Sequence, residues 1–304
     1  MPILYRLIAA IMLLVGAGWT PAAYAAGCGI VAPGETMRVA VAGTSRSLLI
    51  HMPLGRADRP APLVVLFHGS GGNGQGILDR SKLAAAADQY GFIVAAPDGG
   101  IPMGGGSFVW NIPGVPSVSG RMPSATDADD VAFVLATIDW LTAQRCADRT
   151  RVYATGISGG GRMSSWLGCV AADRFAAIAP VVGLRAGNPL AADKTRPDPA
   201  TCRPSRPMPV LAFAGDADTT NPIAGGGSPY WQYPMAAAEA RWAELNGCRT
   251  PLPRREIDAQ VYEEGYAACR KGADVRARVT IGGKHDWVVD NDALWAFFAA
   301  HRRR

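Results

Sequence analysis

The stretches at residues 63–67, 92–96, 175–182 and 210–214 are apolar without interruption. A strand with one face in water alternates polar and apolar positions. A run that is apolar throughout suits a strand buried on both faces, as in a parallel sheet. A shorter β-prone run, Val152-Tyr153-Ala154-Thr155, stands among them. Between these runs lie segments with helical spacing, at 77–90, 131–146, 162–172, 236–246 and 292–301. Gly91 stands where a helix commonly ends in a left-handed residue. Asp127, Asp129 and Asp130 open the 131–146 segment, where acids complement the helix dipole; calcium binding is the competing reading. Residues 36–41 and 47–52 alternate and predict a hairpin turning at Gly43-Thr44, and 277–281 predicts a last strand. Residues 99–124 and 184–208 read as long irregular loops. Strands alternating with helices predict an α/β fold with a mostly parallel central sheet and helices on both faces.

In such a sheet, ligand chemistry gathers at the carboxyl ends of the strands. Four of the predicted strands end in chemically capable residues. Residues 63–67 run into His68-Gly69-Ser70-Gly71-Gly72-Asn73-Gly74, a glycine loop that lacks the lysine and spacing of a phosphate loop. Residues 152–155 run into Gly156-Ile157-Ser158-Gly159-Gly160, the G-x-S-x-G form of a strained turn that presents a serine between strand and helix. Residues 210–214 run into Asp216 and Asp218, and 277–281 into His285.

A serine hydroxyl needs a base within hydrogen-bond reach, and the base needs an acid to hold its tautomer. The order Ser158, Asp218, His285 supplies all three. His285 is preferred among four histidines because it alone follows the acid in a loop after a strand. Asp218 is preferred to Asp216, which lies too near the strand end to curl back. The N–H groups of Gly159 and Ser70 are the expected oxyanion donors. His68 reads as a structural group of its loop. Trp110, Tyr230, Trp231 and Trp287 are candidates for an aromatic substrate pocket.

Composition narrows the setting. The chain has 304 residues, 49% hydrophobic, with a net charge of +5 from scattered basic residues. It has no basic stripe for nucleic acid, and no metal or other cofactor is implied. Arg6, the apolar run 7–15 and Ala23-Tyr24-Ala25 read as a signal peptide over residues 1–25, leaving one domain at 26–304, exported to the periplasm or medium, and monomeric. A lipoprotein reading, with Ala25-Ala26-Gly27 before Cys28, competes with it. No other segment is long and apolar enough to insert stably in a membrane. Six cysteines in an exported chain suggest disulfides, with 15 possible connectivities. Proximity favours Cys248 with Cys269, and the absence of a C-x-x-C pair argues against a zinc site or a redox dithiol.

The chain resembles a secreted esterase family that groups poly(3-hydroxybutyrate) depolymerases with feruloyl esterases of the acetyl-xylan-esterase type. The resemblance rests on LFHGSGG at 66–72, Trp110-Asn111, DADDVAFV at 127–134, RVYATGISGGGRM at 151–163, RFAAIAPVVG at 174–183, PVLAFAGDAD at 209–218 and GGKHDW at 282–287. Gly27-Cys28-Gly29 and Asn246-Gly247-Cys248 resemble the feruloyl branch. It implies the α/β-hydrolase fold and a Ser-Asp-His triad at Ser158, Asp218 and His285. The chain departs from the family at Ala214, Lys284 and Asp286, and Asp286 sets a carboxylate beside the base. The expected activity is cleavage of aryl or polysaccharide esters through an acyl-enzyme. Hydroxyalkanoate depolymerisation is the first alternative, and a catalytically silent polymer-binding protein the second.

Overall fold

The computed structural model describes residues 28–55, 59–226 and 228–303, so the signal-peptide reading of 1–25 lies outside the described residues. The strands are β1 (Thr36–Ala40), β2 (Ser47–His51), β3 (Ala61–Phe67), β4 (Ile93–Pro97), β5 (Ile101–Gly104), β6 (Ser107–Val109), β7 (Ala147–Ile157), β8 (Ala177–Val181), β9 (Val210–Gly215), β10 (Thr250–Glu256), β11 (Val261–Ala267) and β12 (Val275–Thr280). The helices are α1 (Gly74–Ser81), α2 (Leu83–Tyr90), α3 (Asp130–Ala143), α4 (Gly159–Val170), α5 (Met235–Asn246) and α6 (Asn291–Ala299).

Ten strands form one sheet in the order β1-β2-β4-β3-β7-β8-β9-β12-β11-β10. The six from β4 to β12 run parallel, and antiparallel pairs extend both edges. This is the α/β-hydrolase fold. The uninterrupted apolar runs have the expected cause. In β3, Leu63, Val65 and Phe67 pack into one core with Phe133 of α3, Leu167 of α4 and Trp242 of α5. Val64 and Leu66 point the other way, into a second core with Ile77 of α1, Leu83 of α2 and Leu294 of α6. Alternate residues thus face opposite layers, and both layers are apolar.

Three details differ from the sequence pattern. The helix expected at 77–90 is two helices, broken at Lys82 with φ 56°. The break frees the Ser81 carbonyl to accept from Asn291 Nδ2 at 2.8 Å, which ties α1 to α6. The loop 99–124 contains the β5–β6 hairpin. Phe108 exchanges backbone hydrogen bonds with Gly71 and Gly72, so the hairpin pins the glycine loop. Strands β10 and β11 carry too much charge to show an apolar alternation. Glu263 is buried on β11 and is held by Arg276 and Arg278 of β12, at 3.0 Å each. Charged residues and Pro251 and Pro253 on the exposed β10 protect the sheet edge from pairing with other chains. Asp129 caps α3 by accepting from Ala132 N at 2.9 Å, the role expected of the acid cluster.

Three disulfides join Cys28 to Cys146, Cys169 to Cys202 and Cys248 to Cys269. The bridge at Cys28 leaves no thiol there for a lipid, which corrects the lipoprotein alternative. No helix among the described residues is long and apolar enough to cross a membrane. The Cys169–Cys202 bridge spans 33 residues and ties α4 to the long loop before β9. Replacing both cysteines with alanine is expected to cost about 2–5 kcal/mol, by removing a constraint on the unfolded chain. Thermal melting of the double variant reads this directly; an unchanged Tm would show that the bridge carries no stability.

Candidate active site

The parallel register sets the site residues side by side. Phe67, at the end of β3, is paired with Gly156 near the end of β7. The glycine loop and the Ser158 turn therefore leave adjacent strands at the same level. Gly156 and Gly160 are required there: a Cβ on either would lie 2.5 Å or less from the Phe67 carbonyl oxygen. Ser158 itself has φ 56° and ψ −113°, a strained conformation for a residue with a side chain. Its N–H is spent on the Val181 carbonyl at 2.9 Å, which clamps the turn to β8. Among the described residues its hydroxyl has no hydrogen-bond partner.

Asp218 and His285 meet for a similar reason. In the β9–β12 register Gly215 lies opposite Thr280, so the loops carrying Asp218 and His285 leave together. Ala217 N donates to the Gly283 carbonyl at 3.0 Å. A Cβ on Gly215 would lie 2.2 Å from that same oxygen, so the contact needs glycine. His285 Nδ1 stands 2.7 Å from Asp218 Oδ2. Asp218 Oδ1 accepts from the N–H groups of Thr220 and Asn221, at 2.8 Å each. Burial pushes the Asp218 carboxyl up, but the His285 hydrogen bond and the two backbone donors outweigh it, and its pKa lies below the usual range. The carboxylate is therefore ionised at neutral pH, and His285 Nδ1 carries the hydrogen. Asp216 is exposed and accepts from Gly282 N at 2.6 Å, which braces the His285 loop instead.

Ser158 and His285 line one cleft of about 350 Å³ with Ser70, Asn73, Ile77 and Arg80. The Ser70 and Gly159 N–H groups have no partner among the described residues. They are close together: a Cβ on Gly159 would lie 3.0 Å from Ser70 N. Asp286, next to His285 in the chain, accepts from Arg80 Nε at 2.7 Å and from Trp287 N at 2.6 Å. Asn73 belongs to the glycine loop and caps α1, and Arg80 lies in the last turn of α1, where nothing in the sequence marks it as a site residue.

The aromatic set divides. Tyr230 stands over the Arg162 guanidinium, 4.7 Å from ring centre to Cζ. Trp287 is half-buried and donates to Asn291 Oδ1 at 3.3 Å, outside the cleft lining. Trp110 and Trp231 are 4% and 2% exposed, so neither lines the cleft as expected. An indole N–H inside a protein needs a partner, and both find backbone carbonyls: Trp110 donates to His68 O at 2.8 Å and Trp231 to Pro222 O at 2.7 Å. Trp110 also packs edge-on to Phe67 and leans on His68, which makes it a pillar behind the glycine loop.

His68 is enclosed, with Nδ1 2.7 Å from Gly69 O and Nε2 accepting from Gly99 N at 2.9 Å. That pattern holds one neutral tautomer. Burial lowers its pKa from 6.5 to about 4. The unfolded chain takes up a proton near pH 6.5 and the folded one only near pH 4. The stability held by neutral His68 is therefore full above pH 6.5 and is lost as pH falls towards 4, by about 3 kcal/mol. His68→Gln is expected to flatten the Tm-against-pH curve in that window. An unchanged slope would show that His68 does not set it.

The family model "Esterase PHB depolymerase" matches residues 46–217, more than half of the chain. The chain is 35% identical over 248 residues to a feruloyl esterase B of Piromyces equi, covering 79% of this chain and 42% of that protein. It is 26% identical over 237 residues to an acetylxylan esterase A of Aspergillus ficuum, covering 76% of this chain and 68% of that one. The chain thus spans less than half the length of the first of these relatives. Among solved structures, the acetyl xylan esterase of Aspergillus awamori aligns with a TM-score of 0.61 at 16% identity, over 87% of this chain and 99% of its own. The poly(3-hydroxybutyrate) depolymerase of Bordetella parapertussis aligns with a TM-score of 0.53 at 18% identity, over 88% and 93%. At those identities the structural likeness speaks for the fold, and the family model speaks for descent: the chain belongs to the esterase PHB depolymerase family.

Proposed function

We propose that the protein is an exported serine ester hydrolase. Ser158 is the nucleophile, His285 the base that takes its proton, and Asp218 the acid that holds His285 in the required tautomer. Ser158 Oγ attacks the ester carbonyl, and the Gly159 and Ser70 N–H groups receive the negative charge that develops on its oxygen. His285 then returns the proton to the leaving alcohol. Water enters and hydrolyses the acyl-enzyme by the same route. The observation that carries this reading is the 2.7 Å contact of Asp218 with His285, which lines the same cleft as Ser158. Three disulfides support a setting outside the reducing cytoplasm.

The substrate reading is an aryl or short-chain acyl ester of plant polysaccharide, supported by the feruloyl and acetylxylan esterase relatives. The family model favours hydroxyalkanoate depolymerisation as the second reading. A panel of methyl ferulate, acetylated xylan, poly(3-hydroxybutyrate) and 4-nitrophenyl butyrate separates them. The first reading expects turnover of ferulate or acetyl esters. Release of 3-hydroxybutyrate without ferulate or acetate moves the assignment to the second, and turnover of none leaves a silent binder.

A further inference from the structure

Beside the cleft, two arginines are buried without a carboxylate. Arg162 and Arg185 are each 7% exposed. Neither forms an ion pair among the described residues. Arg162 Nη2 reaches only Ser70 Oγ, at 3.4 Å, and its Nε has no partner. Arg185 Nη1 donates to the Leu184 and Tyr233 carbonyls, at 3.3 and 3.1 Å, while its Nη2 has no partner. Aromatic rings cover the flat faces: Trp231 lies 3.2 Å from Arg185 Cζ, and Tyr230 covers Arg162. Stacking covers the flat faces and leaves two buried edge donors, Arg162 Nε and Arg185 Nη2, without a partner among the described residues.

Both arginines line one slot with Tyr230, Asn188, Trp166 and Ile112. Its volume is about 20 Å³. A water-sized group needs roughly 10–15 Å³ on the same measure, so the slot admits a small head group and excludes a sugar ring. Burial pushes Arg162 down to about 10 and Arg185 to about 9, so both still carry charge at neutral pH. Two neighbouring cations, shielded from water and with donors unspent, cost free energy that a bound anion would offset. Arg162 is also the link to the reaction centre. Its N–H donates to the Ser158 carbonyl at 2.9 Å, and its side chain touches the Ser70 hydroxyl.

We propose that this slot binds a carboxylate carried by the substrate, so that the enzyme prefers esters with a free acid group in either the acyl or the alcohol part. The proposal rests on the esterase reading for its substrate arm and stands independently of it for binding. Two ester pairs test the substrate arm. The acyl pair is 4-nitrophenyl hemiglutarate against 4-nitrophenyl valerate. The alcohol pair is 4-acetoxybenzoate against its methyl ester. In one pair the charged member is expected to exceed the neutral one at least tenfold in kcat/KM, and that pair names the side of the ester. Arg162→Gln is expected to bring the ratio to one or below, and Arg162→Lys to keep part of it. Because Arg185→Gln risks misfolding, calorimetric titration of wild type and Arg162→Gln with glutarate gives a readout free of turnover. Saturable binding lost in the variant supports the slot. Hydrolysis of the neutral esters with no charged preference in either pair overturns the proposal. If no ester is cleaved, the esterase reading fails and the titration alone decides the slot.

Discussion

Ser158→Ala is expected to lower ester turnover by a factor on the order of 10⁴ to 10⁶, with the fold intact. The size follows from the chemistry, since alanine leaves no atom to form the acyl-enzyme. His285, Asp218 and the two backbone donors can then do no more than bind the ester and polarise its carbonyl. The backbone adds a second, independent expectation. Position 158 has φ 56°, which costs alanine about as much as serine and glycine almost nothing. Ser158→Gly is therefore expected to be as inactive as Ser158→Ala but more stable by about 1 kcal/mol. Hydrolysis of 4-nitrophenyl butyrate and the Tm of both variants check the pair. Substantial turnover by either variant would remove Ser158 from the mechanism. Equal stability would remove the argument that the turn stores strain.

Asp218→Asn is expected to cost about 10⁴ in kcat, although it changes one atom. The direction of the amide decides this. The Thr220 and Asn221 N–H groups both donate to Oδ1, so they hold the amide oxygen of the variant on that side. The amide nitrogen then faces His285 Nδ1, where the carboxylate oxygen stood. A nitrogen with hydrogens there forces Nδ1 to accept, and the ring hydrogen moves to Nε2. His285 can then no longer take the Ser158 proton. A factor of 10⁴ is about 5.5 kcal/mol in the barrier. Single-turnover kinetics with 4-nitrophenyl butyrate measures it, and a loss below tenfold would mean that Asp218 does not orient the base. Asp216→Asn is the matched control, since Asp216 braces Gly282 and makes no contact with His285.

Much of this site was legible before the fold was seen. The apolar runs at 63–67 and 210–214 reported strands buried on both faces, and parallel strands leave little choice about where loops emerge. Glycines at 156 and 160 announced a close backbone approach, which proved to be the carbonyl of Phe67. The aromatic residues were less legible. Trp110 and Trp231 lie in loops beside the site, yet each turns inward to satisfy its indole N–H, and nothing in local sequence states which way a ring turns. Strands β10 and β11 carry no apolar alternation because they are rich in charge, and Glu263 of β11 is held by Arg276 and Arg278 of β12.

The layered α/β plan and the presence of a serine, an acid and a histidine at strand ends follow from local patterns of burial and turn chemistry, which the chain carries in its order of residues. What depends on distant partners is set by the packed chain. Cys28 meets Cys146 across 118 residues. Asp218, which the sequence already favours over Asp216, touches His285 because the β9–β12 register brings their loops together. Arg162, four positions after Ser158, reads in sequence as one more helix residue. Only the packed chain sets it beside Arg185, walls both off from water with aromatic rings, and leaves their charge unanswered near Ser158.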